Sequence, residues 1–207
     1  GMESDKNKML FEKLIDSINK YRHYRLGLGR PLISDEAEDS LKKELFDLEN
    51  DFPDLIRPDS PSQRVGGRPL DKFRKFRHLK PMLSFNDAFS EKDMADWLSR
   101  LERIFKGAAK NGFYCELKID GLAIELVYEN GIFKSGSTRG DGIIGEDVTR
   151  NLKTIEAIPL KLEILPALGK PMARPGEYRN IGIPKKLVVR GEVFMGRKEF
   201  EKFNKEL

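Results

Sequence analysis

Apolar residues at helical spacing predict two helices in the first fifty residues. The first covers residues 3 to about 20, the segment from Tyr21 to Tyr24 continues it, and Gly27 begins the break that ends it. Ser34 is a good N-cap for the second helix, which carries acids in its first turn, where the helix dipole favours negative charge. The expected buried positions of the two helices are Leu10, Leu14, Ile15, Ile18, Leu41, Leu45 and Leu48.

A third helix is predicted to begin after Ser90. Ser90 caps it, and Asp93 stands three residues on as a capping partner. The apolar positions follow the spacing of one buried helix face. They are Met94, Trp97, Leu98, Leu101, Ile104 and Phe105. We therefore predict that Trp97 belongs to the core and that the helix ends at Lys110-Asn111-Gly112.

After Gly112 the period of the apolar pattern changes to two, which predicts strands. Residues 115–121 are predicted to form a strand with two unlike faces. Its core-facing positions are Cys115, Leu117 and Ile119, and the opposite positions are Glu116, Lys118 and Asp120.

Antiparallel strands are predicted at residues 122–128 and 132–138. The turn between them, Glu129-Asn130-Gly131, favours a hairpin because Asn-Gly tolerates positive φ. A further strand at residues 187–194 places Arg190 and Glu192 on one face. Phe200 and Phe203 suit a final short helix.

These elements divide the chain into two units and predict an α+β fold. Residues 1–68 form a small helical subdomain with its linker, and residues 69–207 form a second domain of mainly antiparallel sheets with flanking helices. The linker region contains a basic run between residues 68 and 77, which either touches a phosphate backbone or faces solvent. Residues 78–85 are expected to be extended, and residues 160–186, with four prolines, to be a long loop.

Composition and charge narrow the function without choosing it. Charged residues make up 35% and apolar residues 39% of the 207, as in a soluble globular protein. The net charge of +4 and the pI near 9.0 favour an anionic partner such as nucleic acid or a nucleotide, although a mixed-charge surface explains them equally well. A single cysteine excludes an internal disulfide framework, and no apolar run could span a bilayer. We therefore expect a cytoplasmic protein with no membrane partner.

The row of Glu116, Lys118 and Asp120 carries the most pronounced chemistry of the sequence. Such a row is usually a surface ion pair, but here it ends at Gly121 and is followed by a glycine-rich loop, residues 139–147, with one arginine and three acids. A lysine nucleophile must be neutral, and at a reference pKa of about 10.4 fewer than about one amine in a thousand is neutral near pH 7. Neighbouring carboxylates favour the ammonium form. We therefore predict that desolvation or a cation, Mg²⁺ brought with a phosphate-bearing substrate, activates Lys118.

The stretch Lys118-Ile119-Asp120-Gly121 resembles the Lys-x-Asp-Gly motif of covalent nucleotidyltransferases, and its surroundings from Cys115 to Ala123 resemble bacterial NAD-dependent DNA ligases in particular. Four further stretches resemble the same family in the same order. They are residues 58–66, 78–85, 138–151 and 189–194. One short motif would be weak support, but five ordered matches over nearly the whole chain are strong. The resemblance implies an ATP-grasp-like nucleotidyltransferase fold for the second domain and a helical unit that recognises NAD.

The resemblance also implies an enzyme, an NAD-dependent DNA ligase, with a role for each matching residue. Lys118, with Asp120 as a second catalytic residue, would attack the α-phosphorus of NAD⁺, expel nicotinamide mononucleotide and hold AMP as a phosphoramidate, the first step of nick sealing. Mg²⁺ would assist, with no protein ligand assigned to it. The expected NAD-binding residues are Glu116 at the adenine, Arg139 at the ribose, Ser84 and Phe85 through their backbone, and Asp35, Asp39, His23 and Tyr24 at the nicotinamide half. Glu192 would bind the ribose or assist metal placement.

The chain departs from the family pattern in several places. The loop before Pro31 is about two residues longer, Glu38 stands where a tyrosine is usual, and residues 161–186 form a longer segment. The family's later lysine motifs, oligonucleotide-binding barrel, zinc module, helix-hairpin-helix region and BRCT domain do not follow. We therefore expect an adenylation region, monomeric, that reaches nicked double-stranded DNA only within the full-length protein. The alternatives are a non-catalytic module that binds nucleotide or nucleic acid and, from Glu38, an enzyme that uses ATP.

Overall fold

Two helices pack against each other at the start of the chain. The computed structural model describes residues 2–64, 72–162 and 182–206. Helix α1 spans Met2–Arg22 and α2 spans Asp35–Asp51, which confirms both predicted helices. Their shared core consists of Phe11, Leu14, Ile15, Ile18 and Leu45, with Leu41 and Leu48 partly buried against it. Leu10, predicted to be buried, is exposed.

The ends of these helices follow local rules. Ser34 caps α2 as predicted, because its Oγ accepts a hydrogen bond from the N–H of Ala37 at 3.2 Å. A π-helical turn, His23–Gly27, extends α1 before the chain breaks. Short 3-10 turns at Pro53–Leu55 and Pro61–Arg64 occupy the segment that was expected to be irregular.

Five strands in the described chain form two antiparallel sheets. They are β1 Lys75–Arg77, β2 Leu122–Glu129, β3 Ile132–Thr138, β4 Ile144–Glu146 and β5 Lys186–Val193. Strand β2 lies between β3 and β5, and β1 pairs with β4. The hairpin between β2 and β3 is confirmed, with Asn130 at a φ of 49° and Gly131 at 80°.

One face of the three-stranded sheet forms the second core. Helix α4, Thr149–Lys153, and the chain after it cover this face. The buried residues are Ile124, Leu126, Tyr128, Phe133, Leu152, Ile158 and Leu160. Burial raises the pKa of Tyr128 to about 12, and its hydroxyl donates to the carbonyl of Pro159 at 2.9 Å. The opposite face of the sheet carries the polar side chains of Glu125, Ser137 and Arg190.

The predicted strand at residues 115–121 is wrong. Residues 112–121 belong to no strand, Cys115 is exposed and Leu117 is 85% exposed. Strand β2 begins only at Leu122, which pairs with Val193, the last residue of β5. A strand needs a neighbour to complete its hydrogen-bond ladder, and before Leu122 no described strand provides one.

The apolar face of the third helix is also not where it was predicted. Helix α3, Glu91–Ile104, and its Ser90 cap are confirmed, although the Asp93 carboxylate accepts from the N–H of Phe89. The predicted end at Lys110-Asn111-Gly112 is wrong, because the helix stops at Ile104 and a separate 3-10 turn covers Ala108–Asn111. None of its residues is buried. Trp97 is 38% exposed and contacts only the ring of Phe113 among the described aromatic residues, at 5.3 Å between centroids. The assignment of Trp97 to the core is therefore wrong.

The remaining elements fall mostly as predicted. Helix α5, Arg197–Glu206, is the predicted final helix, and β5 differs from its predicted bounds by one residue at each end. Strands β1 and β4 arise from the basic run and the glycine-rich loop, where no strand was expected. Most of the predicted long loop, residues 163–181, lies outside the described residues. No helix in the described ranges is long and apolar enough to cross a membrane.

Candidate functional site

The outer face of the three-stranded sheet brings two predicted nucleotide-binding residues side by side. Ala123 lies opposite Glu192 in the ladder, and the backbone N–H of Arg139 donates to the Ala123 carbonyl at 2.9 Å. Opposed residues of an antiparallel pair share a face, so Arg139 and Glu192 flank Ala123. With strands about 4.8 Å apart, these residues lie about 10 Å apart, which leaves room for a sugar or a phosphate. We name this surface, formed by Ala123, Glu125, Ser137, Arg190 and Glu192 with Arg139 at its edge, the polar face.

Two residues of the polar face, Glu125 and Arg190, form an ionic network with His78. Glu125 is fully buried, and its carboxylate accepts from Nε of Arg190 at 3.1 Å and lies 3.1 Å from Nδ1 of His78. The other ring nitrogen, Nε2, donates to the carbonyl of Arg139 at 3.0 Å, since a carbonyl can only accept. Nη2 of Arg190 donates to the carbonyl of Lys80 at 2.7 Å. We name these three side chains the His78–Glu125–Arg190 network.

The glycine of the Lys-x-Asp-Gly motif contacts the end of the polar face. A Cβ atom on Gly121 would overlap the carbonyl oxygen of Val193 and would lie 3.2 Å from Cγ of Glu192. Only a glycine lets the chain pass β5 this closely. Asp120 precedes this glycine in the chain.

The reactive row itself lies in exposed chain. Glu116, Lys118 and Asp120 are all exposed, and within the described ranges none of them takes part in a hydrogen bond or an ion pair. The structure thus brings the motif's glycine, and not the Lys118 side chain, into contact with the polar face. Within those ranges no group of three His, Cys, Asp or Glu side chains could hold a metal ion.

Ser84 and Phe85 are exposed on a segment that is anchored just before them. The N–H of Met82 donates to the carbonyl of Gly142 at 2.8 Å, so the segment is tied to the glycine-rich loop. Arg190 holds the same segment through the carbonyl of Lys80. The backbone that was expected to face the nucleotide therefore starts at a fixed point beside the polar face.

The residues predicted to bind the nicotinamide half surround one ion pair in the helical unit. They are His23 and Tyr24 in the π-helical turn, half-buried with their rings edge to face, and Asp35 and Asp39, exposed in the first two turns of α2. Between them, Arg25 donates two hydrogen bonds to the buried Glu38 carboxylate, at 3.1 and 3.0 Å. This pair fixes the turn against α2 and brings the four residues to one part of the surface.

Glu38 is the centre of a larger ionic cluster. Its carboxylate also contacts Nζ of Lys42 at 3.1 Å. Burial alone would raise the pKa of Glu38, but hydrogen bonds from Arg25 and Lys42 hold it below its ordinary value. Glu156, from the second unit, contacts Arg25 at 2.8 Å and Lys42 at 3.4 Å. Burial would raise the pKa of Glu156 too, and the hydrogen bond from Arg25 and the charge of Lys42 lower it.

Arginines of the helical unit also bind backbone carbonyls of the second unit. Arg64 donates to Lys153, Ile155 and Ile158 at 3.3, 2.9 and 2.8 Å, and Arg22 donates to the carbonyl of Glu156 at 2.6 Å. Burial lowers the pKa of Arg64 to about 10. The helical unit is therefore held against the segment that follows α4.

Some of these buried contacts have a signal in the sequence. Glu125 interrupts an otherwise apolar strand, and a buried carboxylate there requires partners. Arg190 was recognised as sharing a face with Glu192, without a role. Glu156 carries no local signal, because its partners are more than a hundred residues away in the chain.

Two family models match this chain. Residues 70–207 match the family described as NAD-dependent DNA ligase adenylation domain, and residues 4–66 match DNA ligase-like, N-terminal NAD+-binding domain. Relatives named DNA ligase include those of Thermoanaerobacter sp. strain X514, 47% identical over 199 residues, and of Bacillus licheniformis, 45% identical over 204. The alignments cover 96% and 99% of this chain and 27% of each relative, so the chain spans about a quarter of their length.

Proposed function

This chain belongs to the family of NAD-dependent DNA ligases, and we propose that it performs the first step of their reaction, the transfer of AMP from NAD⁺ to Lys118. Nζ of Lys118 attacks the α-phosphorus and forms a P–N bond. The P–O bond to nicotinamide mononucleotide breaks, and the mononucleotide leaves with the electron pair. The amine gives up its proton in the same step.

The observation that carries this proposal is the meeting of three motifs at the polar face. Gly121, at the end of the lysine motif, passes close to the end of β5, which carries Glu192, and Arg139 is hydrogen bonded to β2 between them. Arg139 and Glu192 would hold the ribose, and Glu116, upstream on the same exposed segment, would reach the adenine. Ser84 and Phe85 would contact the nucleotide through the backbone of their anchored segment.

Mg²⁺ would assist this step without a full set of protein ligands. When substrate phosphates and water supply the other ligands, Mg²⁺ takes only one or two carboxylates from a protein. Glu192, on β5, is the carboxylate we propose for this role, as an alternative to the ribose contact. A bound Mg²⁺ would neutralise phosphate charge and disfavour the ammonium form of a nearby amine. Asp120 and Glu116 would orient Lys118.

The helical unit, residues 1–68, would take the nicotinamide half of NAD, and residues 69–207 the adenylate half. His23, Tyr24, Asp35 and Asp39 would make the contacts, held together by the Arg25–Glu38 pair. Because that pair occupies the Glu38 carboxylate, Glu38 would not itself bind nicotinamide. In the longer relatives, the enzyme that carries AMP would then act on nicked double-stranded DNA. We place the reaction in the cytoplasm and in a single chain.

Intact-mass measurement after incubation with Mg²⁺ and either NAD⁺ or ATP tests the proposal. We expect an AMP-sized adduct from NAD⁺ on the wild-type chain, release of nicotinamide mononucleotide, and loss of the adduct in acid, as for a P–N bond. Lys118→Ala should abolish the adduct. Lys134→Ala, which removes an exposed lysine of β3, is the matched control and should keep it.

Three other outcomes of this measurement would contradict the proposed function. An adduct formed from ATP alone would replace the NAD-dependent reaction with an ATP-dependent one. An adduct that persists in Lys118→Ala would assign the nucleophile elsewhere. A chain that binds NAD⁺ or DNA without any adduct would be a binding module.

A further inference from the structure

We propose that the His78–Glu125–Arg190 network is a positioning device for the adenylation site, which sets the places of Arg139 and Glu192. The inference rests on the proposed function for its effect on NAD. The claim that the network holds the neighbouring backbone in place can be tested without NAD. None of the three side chains was assigned a role by the motif argument, so the network adds to the residues already placed at the nucleotide.

Glu125 is buried together with His78 beneath Arg190. The side chains of Glu125 and His78 are 0% and 1% exposed, and Arg190 covers them from β5 at 38%. A carboxylate taken out of water without partners is strongly unfavourable, but one with close polar partners is held in place. Glu125 therefore has little freedom, and neither have the groups bonded to it.

Several chain segments meet at this carboxylate. Glu125 lies on β2, four residues after Gly121 of the lysine motif. His78 connects it to the carbonyl of Arg139, where the glycine-rich loop begins, and Arg190 connects it to the carbonyl of Lys80. Every segment expected to contact the nucleotide in this domain is thus tied to one buried side chain.

Two of these contacts bear directly on Arg139 and Glu192. His78 holds Arg139 by its backbone, so the Arg139 side chain remains available for a ligand. Arg190 is two residues before Glu192 on the same strand and the same face. Because Arg190 is anchored, the backbone that carries Glu192 is held in place. Preorganised groups lose less conformational entropy when a ligand binds, and they stabilise charge better than groups that must be ordered first.

Glu125→Gln is the first test, because it keeps shape and removes charge. Charge-assisted hydrogen bonds to both partners weaken, and we expect the apparent affinity of the chain for NAD⁺ to fall about tenfold. The maximal rate of adduct formation at saturating NAD⁺ should change less. Binding can be followed in the Lys118→Ala background, where no turnover occurs.

Two substitutions at His78 separate the two arms of the network. The side-chain nitrogen of glutamine replaces Nε2, and that of asparagine replaces Nδ1. His78→Gln therefore keeps the donor to Arg139, and His78→Asn keeps the contact with Glu125. Positioning through Arg139 predicts that His78→Asn loses more NAD⁺ affinity. Equal losses, or the reverse order, would contradict it.

A control and a double variant exclude a general loss of stability. Asp59 is another buried carboxylate, paired with Arg57 at 2.6 Å in the helical unit, and Asp59→Asn should lower the melting temperature without a tenfold loss of NAD⁺ affinity. In an Arg139→Ala background, Glu125→Gln should have a clearly smaller effect on affinity. Full additivity would show that the network does not act through Arg139.

Hydrogen exchange gives a readout that does not involve NAD. In Glu125→Gln, the backbone amides of residues 78–85 and 139–147 should exchange faster than in Asp59→Asn at matched stability. If the wild-type chain neither binds nor uses NAD⁺, the proposed function fails, and exchange alone decides the network. Unchanged exchange in these two segments would overturn the positioning role in either case.

Discussion

Close backbone contacts explain single residues that the sequence pattern could only mark as turns. Gly145 in β4 is one of them, because a Cβ atom there would overlap the carbonyl oxygen of Thr138 and would lie 3.2 Å from Nε2 of His78. The contact is with backbone on one side and with the His78–Glu125–Arg190 network on the other. Neither can move without cost.

Gly145→Ala should therefore destabilise the chain by about 1–3 kcal/mol, as overpacking does. In a chain of this size, each kcal/mol corresponds to about 2–4 °C in melting temperature. Gly191→Ala is the matched strand control, because a Cβ atom there meets nothing within 4 Å. Thermal unfolding of both variants checks the prediction, and equal melting temperatures would refute it.

At the scale of elements, the sequence predicted what local rules decide. The caps at Ser34 and Ser90 and the hairpin at Asn130-Gly131 depend on neighbours in the chain, and all are confirmed. The stripe of α1 is confirmed except at Leu10. The strand at residues 115–121 and the burial of Trp97 depend on distant partners that periodicity cannot supply, and both are wrong. For the site, the motif predicted which segments matter, but the buried contacts of Glu125 emerged only from the register of three strands.

The cluster of Arg25, Glu38, Lys42 and Glu156 joins α2 to the second unit and predicts a pH dependence. The pKa values of Glu38 and Glu156 are lowered in the folded chain. Each carboxylate therefore adds stability above its unfolded pKa of about 4.3, and this stability is lost as the pH falls through the lower folded value. Glu38→Gln should lower the melting temperature at pH near 7, and the difference from wild type should shrink below about pH 4.

Asp47→Asn is the control for this experiment. Asp47 pairs with Lys43 on the same helix at 2.6 Å, but both side chains are more than half exposed, at 62% and 75%. Exposed pairs contribute little to stability. Melting curves across the pH range should therefore separate Glu38→Gln from Asp47→Asn, and a pH-independent difference for Glu38→Gln would refute the prediction.

On the scale of the whole molecule, the second unit exposes many large apolar side chains. Those more than four-fifths exposed are Leu83, Phe85, Phe89, Ile104, Tyr114 and Leu117. Large exposed apolar surface favours association between molecules. The 207-residue chain, expected to act as a monomer, should therefore self-associate as its concentration rises.

Ile104→Lys should weaken this association without loss of stability, since Ile104 is 84% exposed. Met9→Lys is the matched control, because Met9 is 72% exposed on α1, in the helical unit. Sedimentation velocity over a range of concentrations measures the effect. The same concentration dependence in Ile104→Lys as in wild type would show that this surface is not responsible.

The shared carboxylate of Glu125 also constrains how such a protein can evolve. A lineage that loses the acid leaves a histidine and an arginine facing an apolar gap, so it must exchange those neighbours too or recruit another acceptor. Positions 78, 125 and 190 should then vary together among descendants, as a linked trio inherited or replaced as a set.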